Sequence, residues 1–226
     1  MDLFIVYGLM LISLIITLGA QVYVNSSYNK YRKIRNKRGI TGSDAARTFL
    51  DRHGMSDVKI GCVKGTLSDH YDPRSKTVNL SREIYSGTSI AAVSVACHEC
   101  GHALQDKTNY SFMRLRASLV PVTRVASYAG YIAIAVGAAL GAIGAIWFGI
   151  LCEVAILLFQ IVTLPVEFDA SKRALNEMDS LGFFDSQEIK YGRTMLTAAA
   201  LTYVASVAAT LIQIFRLALM FTRRND

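Results

Sequence analysis

Apolar and polar positions along this chain are sorted into long blocks. Residues 3–24, LFIVYGLMLISLIITLGAQVYV, form an uncharged run. A bilayer crossing takes about 20 such residues, so this run predicts a transmembrane helix. Residues 125–145 and 146–164 are two more apolar runs with almost no loop between them, which predicts a transmembrane hairpin. Gly137 and Gly141 make a G-x-x-x-G in the first of these, a spacing that permits close helix approach and is also common in membrane helices generally. A fourth apolar run, 194–215, is followed by Arg216, Arg223 and Arg224.

The blocks between are polar. Residues 25–117 read as a folded, water-facing region. Ser43 is placed to cap a helix reaching about His53, with Gly54 as its terminator. Segments 58–63, 66–71 and 76–80 are rich in strand formers and are separated by Lys64-Gly65 and by Asp72-Pro73-Arg74-Ser75. That turn chemistry predicts a short antiparallel sheet. In SIAAVSVACHECGHALQD the only charge before Asp106 is Glu99, so the predicted helix is buried rather than amphipathic. Residues 165–193 turn polar again, helical as far as Gly182, and Asp185 with Glu188 forms a capping box for the next helix. The expected class is a mostly helical α+β membrane protein with about four transmembrane helices.

Composition supports lipid as the destination of the apolar excess, since 52% of residues are hydrophobic and 18% charged, against about 25% charged in soluble domains. The net charge of +7 predicts orientation, not a nucleic-acid partner. Lys30, Arg32, Lys33, Arg35, Lys37 and Arg38 follow the first apolar run directly, and 17 of the 24 Lys and Arg lie between residues 25 and 124. The positive-inside rule then puts the polar blocks in the cytoplasm. This outweighs the arginines of the C-terminal tail, which four crossings leave outside. Only Met1 and Asp2 precede the first run, so it reads as a retained anchor and not a cleaved signal. The basic run is expected to set topology and to touch anionic lipid. The expected location is a multi-pass protein of the plasma membrane with its active site facing the cytoplasm. Cys62, Cys97, Cys100 and Cys152 are not spaced as a disulfide framework.

His98-Glu99-Cys100-Gly101-His102 is an H-E-x-x-H pattern, for which random placement of this composition gives about 0.002 occurrences. Residues i and i+4 share a helical face, so two imidazoles can grip one ion while the intervening glutamate stands beside the water to be activated. Zn2+ suits such donors, with Glu99 as general base. A third ligand is needed. Glu167, opening the polar segment after the third apolar run, is the first candidate, and His70 competes with it. Asp169 or Ser171 is placed to hydrogen-bond a ligand histidine; Asp169 reads equally as an acid favoured by a helix N-terminus. Cys97 and Cys100 make a C-x-x-C across the motif, read as small buried packing residues before a redox pair or a thiolate zinc site. Glu153, within the third run above Gln160, is read as protonated or paired inside the bundle before any functional role.

The blocks YDPRSKTVNLS, AAVSVACHECGHALQ and LPVEFDASKRA, in a four-span frame, resemble the neutral zinc metallopeptidases of the YugP-like family over nearly the whole chain. The resemblance implies a small zincin-like catalytic domain with Glu167 as third ligand, as in the glutamate-ligated HtpX-type membrane proteases. The chain departs from the HtpX-type pattern at Ser171, where an acid is usual, and in carrying cysteine at 97 and 100. Tyr191 and Arg193 are candidates on position alone for stabilising the oxyanion. In zincin-like folds an edge strand aligns an extended substrate by main-chain hydrogen bonds, a role expected here of residues 77–81. The expected activity is cleavage of unfolded or membrane-associated polypeptides at the cytoplasmic face; oligomeric state and membrane-protein partners are left open. Two rivals stand beside it, a non-catalytic, zinc-stabilised membrane scaffold or chaperone and a metal transporter lined by Glu153 and Gln160. Glu99 has no purpose in the first, and the remaining spans offer the second almost no metal-binding groups.

Overall fold

A computed structural model describes residues 3–222. Arg223 and Arg224, expected to close the last apolar run, lie outside the described residues, as do Met1 and Asp2. Seven helices and three strands follow in the order α1 (Leu3–Tyr31), α2 (Gly42–Arg52), β1 (Lys59–Val63), β2 (His70–Asp72), β3 (Thr77–Ser81), α3 (Arg82–Ser86), α4 (Ile90–Lys107), α5 (Ser111–Leu140), α6 (Ile143–Ser180) and α7 (Ser186–Thr222). Helices α1, α5, α6 and α7 are long and apolar enough to cross a membrane. The chain is mostly helical, with two compact units: residues 1–21, 114–164 and 201–226 in one, residues 22–113 and 165–200 in the other.

The first unit consists of apolar helix. At most 22% of the apolar window of any of the four long helices is buried, so lipid is the natural solvent for side chains such as Phe4, Tyr131 and Leu140, which stand exposed. The hairpin turns at Gly141 and Ala142, several residues before the expected break at 145/146. Gly141 adopts φ +70, which glycine permits without strain. It therefore makes the turn and not a helix contact. The glycines that let α5 and α6 approach are others: a Cβ on Gly137 would lie 2.6 Å from Ile146 Cγ1, and one on Gly130 would lie 2.7 Å from Cys152 Cβ. The helices also outrun the apolar runs. Pro165 sits inside α6 where the sequence suggested a boundary, and α7 continues through Arg216 because Leu217 and Phe221 beyond it are buried against Ile146 and Ile150. A charge ends an apolar run without ending a helix.

The second unit is built round α4. Its N-cap is Ser89, whose hydroxyl accepts from Ala92 N at 3.1 Å, and nearly every residue from Ile90 to Gln105 is buried. Helix α2 covers one side with Ala45, Ala46, Phe49 and Leu50, all fully buried. Thr41 caps α2, in place of the expected Ser43: its hydroxyl accepts from Asp44 N at 3.1 Å and Asp44 answers on Thr41 N at 3.3 Å. The Asp185 and Glu188 capping box forms as expected, with Glu188 N on Asp185 Oδ1 at 2.8 Å and Asp185 N on Glu188 Oε2 at 3.0 Å. Part of the basic run is spent within this unit: Arg32 pairs with Glu83 at 2.7 Å and Lys37 with Asp185 at 2.5 Å.

The sheet is mixed, ordered β1-β3-β2, and not the antiparallel meander expected. β3 runs antiparallel to β2 and parallel to β1. The reason lies in residues 64–69, which were expected to be mostly strand. Gly65 at φ +108 and Leu67 at φ +55 turn the chain there, and Asp69 is tied by Oδ1 to Ser81 N at 2.6 Å. The loop is thereby carried past the far end of β3, so β1 cannot pair with β2, and β3 enters between them. Val78 and Leu80 point inward and are fully buried. A central strand has no free edge, so residues 77–81 cannot align a substrate strand as expected; among the described residues β1 and β2 each pair with β3 alone.

Candidate metal centre

Two helices of the second unit make the site. His98 and His102, one turn apart on α4, bring their rings to 4.8 Å between centroids at 84°. Glu167, two residues beyond Pro165 on α6, points its carboxylate at both, with Oε2 at 3.4 Å from His98 Nε2 and 3.7 Å from His102 Nε2. One donor atom from each residue lies within 4.8 Å of the others. Glu167 and His102 are buried, at 4% and 8% exposure. The separations suit an ion held tetrahedrally at about 2.0–2.2 Å from N and O donors, which places its ligands about 3.4 Å apart. The donor set therefore fits zinc.

Glycine decides how closely the helices meet. A Cβ on Gly101 would stand 2.6 Å from the Ala170 carbonyl oxygen, so only glycine between the two histidine turns lets α6 deliver Glu167. Gly101→Ala should force the helices apart, destabilising the fold by about 1–3 kcal/mol and weakening metal binding; thermal unfolding with and without zinc measures both.

The ring nitrogens facing away from the cluster have partners. Ser171 Oγ lies 3.2 Å from His98 Nδ1. The Gln105 amide, fully buried, lies with Oε1 at 3.0 Å from His102 Nδ1, while its Nε2 donates to Val166 O at 2.8 Å and to Asp169 Oδ2 at 2.9 Å. Those two oxygens only accept, which fixes the amide orientation and obliges His102 Nδ1 to donate. Nε2 then faces Glu167. Asp169 is steadied by Arg173 Nε at 2.6 Å. Sequence reasoning expected Asp169 or Ser171 to touch a ligand histidine; Ser171 does so, and Asp169 acts one residue removed. Gln105 was missed, although its spacing of i+3 from His102 on a buried face was a signal. Gln105→Leu should lower zinc affinity by about 10–100-fold, as loss of a ligand's outer partner does, with the fold retained; chelator competition reads it.

Burial alone would push the His102 imidazole down, but the neighbouring Glu167 carboxylate, the charge of Glu99 and the Gln105 amide outweigh it and shift the group up. Burial likewise favours a neutral Glu167, and the His102 and His98 imidazoles facing its carboxylate override it, holding the carboxyl well below the usual range. In the metal-free protein the proton between them is the one an ion would displace. Glu99, on α4 between the histidines, is also buried, at 8% exposure.

Other candidates fall elsewhere. His70 is exposed and spends both nitrogens locally, Nδ1 on Ser68 O at 2.8 Å and Nε2 on Asn79 Nδ2 at 3.3 Å, so it is no part of the cluster. Cys97 and Cys100 are buried free thiols whose pKa burial pushes up, as packing residues should be. Glu153 and Gln160 belong to the other unit. Tyr191 rests on Tyr31 with ring centroids 5.3 Å apart. Arg193 lines a cavity of about 200 Å³ together with Ser171 and Phe168.

The sequence model of a family described as "Putative neutral zinc metallopeptidase" matches residues 6–222. A curated relative from Bacillus subtilis (strain 168), named "Putative membrane protease YugP", is 42% identical over 207 residues, covering 92% of this chain and 92% of the relative. No solved structure matches.

Proposed function

Because this chain belongs to the family described as "Putative neutral zinc metallopeptidase", we propose that it is a membrane-embedded endopeptidase cleaving unfolded or membrane-associated polypeptides at the cytoplasmic face, with Glu99 as general base. The observation that carries this reading is the convergence of His98, His102 and Glu167 from two helices on one point, with the buried Glu99 carboxylate on the same helix as the two histidines.

His98, His102 and Glu167 would hold zinc, which supplies Lewis-acid polarisation and a lowered pKa for water. The work of the chain's own residues is separable from that. Glu99 takes a proton from the attacking water as its oxygen bonds to the scissile carbonyl carbon, and returns it to the amine nitrogen as the C–N bond breaks. Gln105 and Ser171 keep the imidazoles oriented. With β3 enclosed, an extended substrate has the outer edges of β1 and β2 to pair with, which favours main-chain recognition tolerant of many side chains. The basic residues behind the first apolar run support a cytoplasmic site.

Purified full-length protein should degrade an unfolded polypeptide such as reduced casein. A zinc chelator should stop the reaction and added zinc restore it. Unaltered cleavage after verified removal of metal would end the metallopeptidase reading.

A further inference from the structure

The membrane unit carries a charge that the packing of its described residues does not explain. Arg216 lies inside α7, about 9 Å of helix rise short of Thr222 at 1.5 Å per residue. Its Nη2 donates to Gln213 Oε1 at 2.8 Å, while its Nε is buried with no hydrogen-bond partner among the described residues. None of the ion pairs among the described residues includes it. A guanidinium in an apolar helix without a counter-charge is costly.

Beside it is a groove of about 530 Å³ between α1 and α7. Its walls are Met10, Leu14 and Ile212, with Gln213 and Arg216 on the α7 side and Tyr7 at its end. Tyr7, Met10, Leu14 and Thr17 recur at helical spacing, so one face of α1 lines it. The exposure of Tyr7 at 62% and Leu14 at 53% leaves the groove open to the surrounding solvent, which for these helices is lipid. Tyr7 is four residues from the described start of α1, so one end of the groove lies at the depth where tyrosine meets headgroups.

We propose that this groove binds one anionic phospholipid, its phosphate on Arg216 and Gln213 and an acyl chain along Met10, Leu14 and Ile212. The phosphate supplies a counter-charge that no described residue gives, and accepts in the planar fork geometry that arginine presents. The apolar wall accounts for an occupant with a chain, which a free phosphate ion lacks. Arg216 therefore acts as a lipid anchor, distinct from the residues of the metal centre.

Full-length protein in mild detergent, titrated with phosphatidylglycerol or phosphatidylcholine and read by native mass spectrometry, tests this. The parent should retain phosphatidylglycerol about tenfold more tightly than phosphatidylcholine, and glycerol 3-phosphate should not compete. Arg216→Gln should remove that preference, and Leu14→Trp, which fills the groove, should weaken both lipids. Thermal unfolding and zinc content of each variant confirm that the protein is folded. Equal retention of the two lipids by the parent, or an undiminished preference in folded Arg216→Gln, would overturn the proposal.

Discussion

Replacing Glu99 by Gln is expected to slow polypeptide cleavage by about 10²–10⁴-fold, the usual contribution of a positioned general base, while zinc remains bound in the parent's ratio. The amide has the same shape and cannot accept the proton of the attacking water. Glu99 is 8% exposed, so exchanging its charge for an amide relieves burial of an ion and should not unfold the helix. Cleavage of a fluorescent unfolded substrate, with metal content measured on the same sample, separates the two effects. A zinc-stabilised scaffold predicts that this substitution changes nothing measurable. Wild-type turnover in a zinc-loaded Glu99→Gln protein would end the proposed mechanism, whereas a zinc-loaded parent that cleaves nothing would favour the scaffold.

The elements readable in advance were those with a local cause. Four apolar blocks predict four long helices, and the buried character of α4 follows from a segment whose single charge before Asp106 is Glu99, the proposed general base. The two histidines were legible because their spacing is a property of one helix. Glu167 needed more, since nothing local says that α6 meets α4 edge to edge; that contact depends on Gly101 lying against Ala170. Strand order was illegible for a similar reason. Turn residues at 64–65 and 72–75 suggest neighbouring strands, but the pairing was decided by Asp69 reaching Ser81 and carrying the loop past the end of β3. Gln105 was overlooked because its importance lies in what it touches on another helix, Val166 O and Asp169. Helix ends were misjudged wherever hydropathy stood in for hydrogen bonding, as at Pro165 and Arg216.

Glu167→Gln should cost more zinc affinity than any outer partner does, beyond the ~10–100-fold of such residues, because it removes the anionic donor itself. Activity should vanish along with the metal, in contrast to Glu99→Gln. The same carboxylate makes the metal-free fold sensitive to pH in two directions. Since the folded Glu167 pKa is depressed, its contribution is complete above the unfolded value of about 4.3 and is lost as pH falls through the folded one. Since the folded His102 pKa is raised, its contribution is complete below the unfolded value of about 6.5 and is lost as pH rises through the folded one. The pair thus supports the metal-free protein best between about pH 4.3 and 6.5, whereas zinc needs a deprotonated imidazole and binds more strongly above that window. The rise in melting temperature on adding zinc should accordingly be small at pH 5 and larger at pH 8. In Glu167→Gln both the zinc-dependent rise and the metal-free stabilisation near pH 5 should disappear. If the variant kept the parent's zinc response at pH 8, Glu167 would not be a ligand.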